Sequence, residues 1–189
     1  MSDAERDHYF RERPKVRSRP REIEAEVRGH HLRLVTDRGV FSYGRVDPGS
    51  RLLAEQMKLP PEGEVLDWGC GWGLLGIVAA RTWPGLHVVM VEVNERACEL
   101  ARENAACNDV AAEVLCGDAA QVLSGRSFDA IVTNPPISAG RAAVLGILEQ
   151  AGRMLRPGGS FWMVAATNKG ARTLRRELQA RFAQVEQVA

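Results

Sequence analysis

The sequence predicts an α/β fold, doubly wound around a mostly parallel sheet. Three observations carry this. From Glu64 onward, short apolar runs alternate with helical stretches, the pattern of a parallel sheet covered on both faces. A glycine-rich loop, Asp67 to Gly76, joins the first run to its helix. A later run ends abruptly on Asn134-Pro135-Pro136. The chain has 189 residues, 45% hydrophobic and 26% charged, as in an ordinary globular domain. That composition excludes a disordered tail, a collagen-like fibre and a coiled coil.

Taken in order, residues 1–22 read as extended chain, because Pro14 and Pro20 interrupt any helix. Glu22 to Arg28 and Leu32 to Thr36 read as two short strands around a Gly29-His30-His31 turn. Gly49 to Lys58 suits a helix. The regular part follows: a strand at Val65-Leu66 ending on Asp67, a helix over Leu74 to Arg81, and a strand over His87 to Val91. Next come a helix over Asn94 to Ala106 and strands over Glu113 to Cys116 and Phe128 to Thr133. Arg141 to Leu155 is a helix, Pro157-Gly158-Gly159 a turn, and Ser160 to Ala165 a strand. Gly170 to Phe182 is a helix and Gln184 to Val188 a last short strand. The domain division is a basic extension with a β-hairpin appendage over 1–47 and the main domain over 48–189.

The longest stretch without a charged or strongly polar residue, Trp68 to Ala80, is short of the roughly 20 residues a membrane helix needs. The charged first fifteen residues do not resemble a secretory leader. Cys70, Cys98, Cys107 and Cys116 form no CxxC pair, and His8, His30, His31 and His87 show no metal-ligand spacing. The expectation is reduced thiols, no metal, no membrane and a cytoplasmic location. The net charge is +1, but it divides into +2 over 1–47, −6 over 48–150 and +5 over 151–189. Both ends are basic and the centre acidic.

In Asp67-Trp68-Gly69-Cys70-Gly71-Trp72-Gly73-Leu74-Leu75-Gly76, glycines let the backbone turn tightly and approach a ligand closely. The helix start behind them offers free N–H groups. In an open α/β sheet, ligands bind beyond the carboxyl ends of the strands. Gly71, Gly73 and Gly76 spell the dinucleotide pattern GxGxxG, but with Asp67 and Gly69 the string is DxGxGxG. An acid facing this loop repels a pyrophosphate and suits a cationic or amino-bearing ligand. Glu92 closes the second strand, where an acid can hold ribose hydroxyls. Asp118 follows the third strand and can accept from an exocyclic amine. Three acids at three strand ends fit an adenosine without phosphate, against the alternative of turn glycines and capping carboxylates.

In Thr133-Asn134-Pro135-Pro136-Ile137, two prolines fix φ and remove two donors. The loop is rigid and presents acceptors, to which Asn134 adds a side-chain oxygen. A planar amino group is a poor nucleophile because its lone pair is delocalised. Two acceptors on its hydrogens orient it and draw the lone pair out of conjugation, which is positioning plus electrostatics. The bland reading is a strand-ending Asn-Pro turn.

These residues resemble class I S-adenosylmethionine-dependent methyltransferases. More narrowly they resemble the methyltransferase small family, which includes small-subunit ribosomal RNA guanine-N2 methyltransferases. The resemblance takes in His8-Tyr9-Phe10, Thr36 to Ser42, Asp47-Pro48-Gly49-Ser50, the glycine loop, Val93 to Ala97, Thr133 to Ile137 and Lys169-Gly170-Ala171. It implies a Rossmann-like sheet and S-adenosylmethionine as cofactor, with S-adenosylhomocysteine as product. It places Gly69, Gly71 and Gly73 along the methionine part near Asp67, and Glu92 on the ribose. Val93 then packs on adenine, with Asp118 and the Ala119 N–H at its edge. Asn134 and the Pro135 carbonyl hold the target amine, flanked by Pro136 and Ile137. An aliphatic Ile137, where adenine-directed members often carry an aromatic, leans toward guanine N2. The family's usual strand order is 3-2-1-4-5-7-6, and the chain stops about where the sixth strand should end, so the seventh is expected to be absent.

Ribosomal RNA, free or in the small subunit, is the expected partner of a monomeric chain. Binding it needs cations to replace phosphate counterions. Arg11, Arg13, Lys15, Arg17, Arg19 and Arg21 sit at every second position, so in extended chain they point one way. Lys169, Arg172, Arg175 and Arg176 form a second cluster. Ion pairs with Glu22, Glu24 and Glu26, or a plain solvated face, are the alternative. Phe41 is a candidate to cover the pocket and stack on a base, or to pack in the core. The competing functions are methylation of protein glutamine amides, non-catalytic RNA binding and, remotely, a nicotinamide enzyme.

Overall fold

The computed structural model describes residues 14–136, 140–165 and 171–189. The expected roles of Arg11, Arg13, Ile137 and Lys169 lie outside the described residues. Strands β1 (Arg21–Val27) and β2 (His30–Thr36) form an antiparallel hairpin. Then follow α1 (Pro48–Gln56), β3 (Glu62–Trp68), α2 (Leu74–Thr82), β4 (Gly85–Glu92), α3 (Glu95–Cys107) and β5 (Ala112–Cys116). The rest is α4 (Ala119–Val122), β6 (Phe128–Thr133), α5 (Arg141–Met154), β7 (Leu155–Met163) and α6 (Ala171–Gln179).

The main sheet has the order β5-β4-β3-β6-β7, and every pairing in it is parallel. Its central strands are apolar because both faces are covered. Val65, Val88, Met90, Ala130 and Val132 join α2 and the hairpin on one face, while Leu66, Val89, Val91, Phe128 and Ile131 pack with Leu123 and Ala151 on the other. Gly76 of α2 has no room for a β-carbon, which would lie 2.6 Å from the Met90 side chain. Helix and strand therefore approach closely just behind the loop.

The hairpin alternates inward and outward residues, burying Ala25, Val27, Leu32 and Leu34 in the core of that first face. Two asparagines one helical turn apart, Asn104 on α3 and Asn108 at its C-cap, extend it. Asn104 accepts from the Val35 N–H at 2.6 Å and donates to the Val35 carbonyl at 2.9 Å. Asn108 does the same with Arg33, at 3.1 and 2.7 Å. Their amides stand in for a neighbouring strand on the open edge of β2.

Three sequence expectations need correction. The hairpin turn is Arg28-Gly29, with φ of 50° and 74°, a two-residue turn of the type that matches strand twist. His30 and His31 belong to β2. Pro157-Gly158-Gly159 is not a turn before the strand but a bulge within it, since Phe128 pairs with Leu155 and Ala130 with Ser160. Finally, Gln184 to Val188 forms no strand, and the main sheet has five strands among the described residues. A strand needs a partner, and no strand of the main sheet pairs with this segment among the described residues.

Candidate functional site

The carboxyl edge of the sheet brings the loops after β3, β4, β5 and β6 side by side. In the loop after β3, Gly69, Gly71 and Gly73 take φ of 69°, 56° and 95°, values only glycine adopts at low cost. β-Carbons on Gly69 and Gly71 would meet nothing within 4 Å, so the backbone there faces open space. Leu74 and Leu75 at the start of α2 line the same space, and their N–H groups have no acceptor within the helix.

Two carboxylates shape this loop from below. Asp67, fully buried, accepts the Gly76 N–H at 2.8 Å through Oδ2, while Oδ1 is buried without a partner. Burial pushes its carboxyl up to about 7, against the Gly76 hydrogen bond, and nearby Glu92 adds to the rise. An orphaned carboxylate oxygen beside a glycine loop is what a bound cation or ammonium satisfies. Glu92 accepts from Gly71 at 2.9 Å, Val93 at 2.8 Å and Asn94 at 3.0 Å. Its carboxyl is raised by burial and held back by those three N–H groups. Two oxygens offer about four acceptor positions, so one is left for a hydroxyl.

Asp118 is exposed and caps α4, accepting from the Ala120 N–H at 2.8 Å. Its local role is the capping one. Ala119 is buried and Val93 half-buried. Burial raises the Cys70 thiol well above its ordinary range, so this loop offers no thiolate nucleophile.

On the other side, Asn134 directly follows β6. Its amide nitrogen donates to Asp47 Oδ2 at 3.0 Å and to Ser50 Oγ at 2.8 Å. Asp47 also caps α1, accepting the Ser50 N–H at 2.8 Å. Pro135 is buried, and the Thr133 hydroxyl donates to the Trp68 carbonyl at 2.9 Å, tying β6 to the end of β3. A cleft with about 360 Å³ of empty space, solvent included, is lined by Gly69, Gly71, Asn134, Asp47, Ser50 and Phe41 among others. Sequence reasoning assigned no role to Asp47 and Ser50. The signal available was the Asp-Pro-Gly-Ser string itself, which reads as a helix start.

Phe41 is 44% exposed, so it is not a core residue. Its loop is strapped to the glycine loop by the Trp72 indole N–H, which donates to the Phe41 carbonyl at 2.9 Å. The Asn94 amide donates to the Gly39 carbonyl at 2.8 Å. Lys15, Arg17, Arg19 and Arg21 are all exposed, and no ion pair joins them to Glu22, Glu24 or Glu26 among the described residues. Their segment is pinned near the Phe41 loop by Asp37, which accepts from the Ser18 hydroxyl and the Arg19 N–H. Arg172, Arg175 and Arg176 are exposed on α6. No cluster of His, Cys, Asp and Glu suited to a metal ion occurs, and no helix is long and apolar enough to cross a membrane, among the described residues.

The family model described as methyltransferase small domain matches residues 31–189. The uncharacterized protein YbxB of Bacillus subtilis is 36% identical over 185 residues, covering 96% of this chain and 92% of that protein. The ribosomal RNA small subunit methyltransferase C of Pseudomonas entomophila is 34% identical over 163 residues, covering 84% of this chain. This chain spans 48% of that relative's length. The solved structure of the T. thermophilus 16S rRNA N2 methyltransferase RsmC, in complex with AdoMet and guanosine, is similar with a TM-score of 0.78 at 34% identity. That likeness covers 93% of this chain and 50% of that one.

Proposed function

This chain belongs to the methyltransferase small family, and we propose that it transfers a methyl group from S-adenosylmethionine to the exocyclic N2 amine of a guanine in ribosomal RNA. The observation that carries the reading is the cleft, which sets the Asn134 amide opposite the open backbone of Gly69 and Gly71. The similarity to a methyltransferase solved with AdoMet and guanosine supports both the methyl donor and the acceptor base.

The residues fit the donor. The unpartnered Asp67 Oδ1 suits its ammonium, the remaining Glu92 acceptor position suits ribose hydroxyls, and Val93, Asp118 and Ala119 suit the adenine. Bound S-adenosylmethionine supplies an electrophilic methyl group on a sulfonium. Asn134 Oδ1 and the Pro135 carbonyl accept the two hydrogens of the target amine and orient its lone pair. No strong base is required, because the methylated nitrogen is acidic and sheds its proton to water. Phe41 stacks on the extruded base, since the chemistry requires it out of its helix. Residues 1–47 act as a basic appendage and 48–189 as the transfer domain, with exposed Lys15, Arg17, Arg19 and Arg21, and Arg172 on α6, meeting phosphates.

The test is transfer of a labelled methyl group to ribosomal RNA, to small subunits and to total protein, followed by digestion. Label in N2-methylguanosine is the expected result. Label in glutamine, or in another nucleoside, overturns the acceptor assignment.

A further inference from the structure

The strongest unassigned feature is the set of contacts behind Asn134. An asparagine amide has two ends of similar shape, exchanged by rotating one bond, and only one end accepts hydrogen bonds. Turned the wrong way, Asn134 would present NH₂ to a substrate NH₂, donor against donor. Something must fix the orientation if the loop is to receive an amine.

We infer that Asp47 and Ser50 are positioning residues that lock the Asn134 amide with its oxygen toward the cleft, and so select a hydrogen-bond donor as the acceptor of the methyl group. The inference rests on the amine-transfer reading above. Both hydrogens of Asn134 Nδ2 have partners, Asp47 Oδ2 at 3.0 Å and Ser50 Oγ at 2.8 Å. An ionised carboxylate only accepts, so the reversed amide would set oxygen against oxygen at Asp47. All three side chains line the same cleft.

Each residue of the Asp-Pro-Gly-Ser string then has a physical task. Asp47 is itself immobilised, because the same Oδ2 caps α1 through the Ser50 N–H at 2.8 Å. Pro48 starts that helix with φ already set. A β-carbon on Gly49 would lie 3.0 Å from Asp47 Oδ2 and 3.4 Å from Val164, so glycine leaves room for the carboxylate. Ser50 supplies the second acceptor. The negative charge on Asp47 also polarises the amide, which strengthens Oδ1 as an acceptor.

The test compares Asp47→Ala, Asp47→Asn, Ser50→Ala and Asn134→Ala. The readouts are kcat and KM for labelled transfer, calorimetric affinity for S-adenosylhomocysteine, melting temperature, and NMR of the Asn134 side-chain amide. Asp47→Ala should lower kcat roughly 10²-fold, the cost of a small misplacement at a reacting centre, with S-adenosylhomocysteine affinity unchanged. Asp47→Asn keeps an acceptor oxygen and the helix cap, and should restore part of kcat. Ser50→Ala should cost less than Asp47→Ala. In both alanine variants the Asn134 amide protons should shift and lose protection. Full kcat in a folded Asp47→Ala, or an unshifted Asn134 amide, overturns the inference. So does a kcat loss matched by equal losses of melting temperature and S-adenosylhomocysteine affinity. Continued transfer by Asn134→Ala instead removes the amine-transfer reading, while the NMR arm still reports whether Asp47 holds the amide.

Discussion

The two walls of the cleft are built in different ways. The glycine-loop wall is backbone: Asp67 and Glu92 hold the N–H groups of Gly76, Gly71, Val93 and Asn94, and all these residues lie within 67–94. The Asn134 wall is side chain against side chain, with Asp47 and Ser50 reaching across 87 and 84 residues of sequence. The first wall fixes a shape, and a ligand must fit it. The second fixes which end of an amide faces the ligand, and so the chemistry. Damage to the first wall should appear in donor binding, and damage to the second in turnover.

The largest expected break in the glycine-loop wall is Gly71→Ala. It forces a side chain into φ of 56°, a strain of roughly 1–2 kcal/mol, and pushes a methyl group into open cleft. Affinity for S-adenosylhomocysteine should fall at least tenfold, and transfer with it, measured by calorimetry and label incorporation.

Asp67→Asn should act next, through pH. The Asp67 carboxyl holds its proton up to about 7 in the folded chain, well above the ordinary carboxylate range of about 4. The folded state therefore binds more protons between those values, so this group makes stability fall as pH rises from about 4 to 7 and then level off. A ligand ammonium beside it favours the ionised form, so donor affinity should rise as pH passes from 6 to 8. Asp67→Asn should abolish both trends, giving a higher melting temperature than the parent at pH 8 and weaker, pH-independent binding.

Phe41→Ala sharpens the contrast further. A lost base stack is worth about 1 kcal/mol or more. Transfer to RNA should fall roughly fivefold in kcat/KM, with donor affinity unchanged. The smallest effect is electrostatic. Arg17→Ser should weaken RNA binding modestly and reduce the salt dependence by about one charge, read from filter binding at several salt concentrations.

The difference between the walls also explains what could be read in advance. The alternation from Glu64 onward and the DxGxGxG string are local patterns, and the five parallel strands and the glycine loop stand where those patterns put them. Asn134-Pro135-Pro136 is legible as the end of a strand for the same reason, since β6 stops at Thr133. Its partners are not, because nothing in Asp47-Pro48-Gly49-Ser50 announces a contact with a strand end more than 80 residues away. Turn position failed where two turn-compatible strings overlapped: Arg28-Gly29 won over Gly29-His30-His31 because positive φ at both positions matches the strand twist. Asp118 shows a carboxylate with two readings, whose capping role the structure makes visible. The strand expected at Gln184 to Val188 failed because strand formation depends on a neighbour that local sequence does not contain.

The most direct test of the central claim is one paired measurement on Asn134→Ala. Affinity for S-adenosylhomocysteine and methyl transfer to ribosomal RNA are read on the same preparation. Binding should stay within about twofold of the parent, and transfer should fall roughly 10²-fold or more. Undiminished transfer with intact binding would contradict the claim.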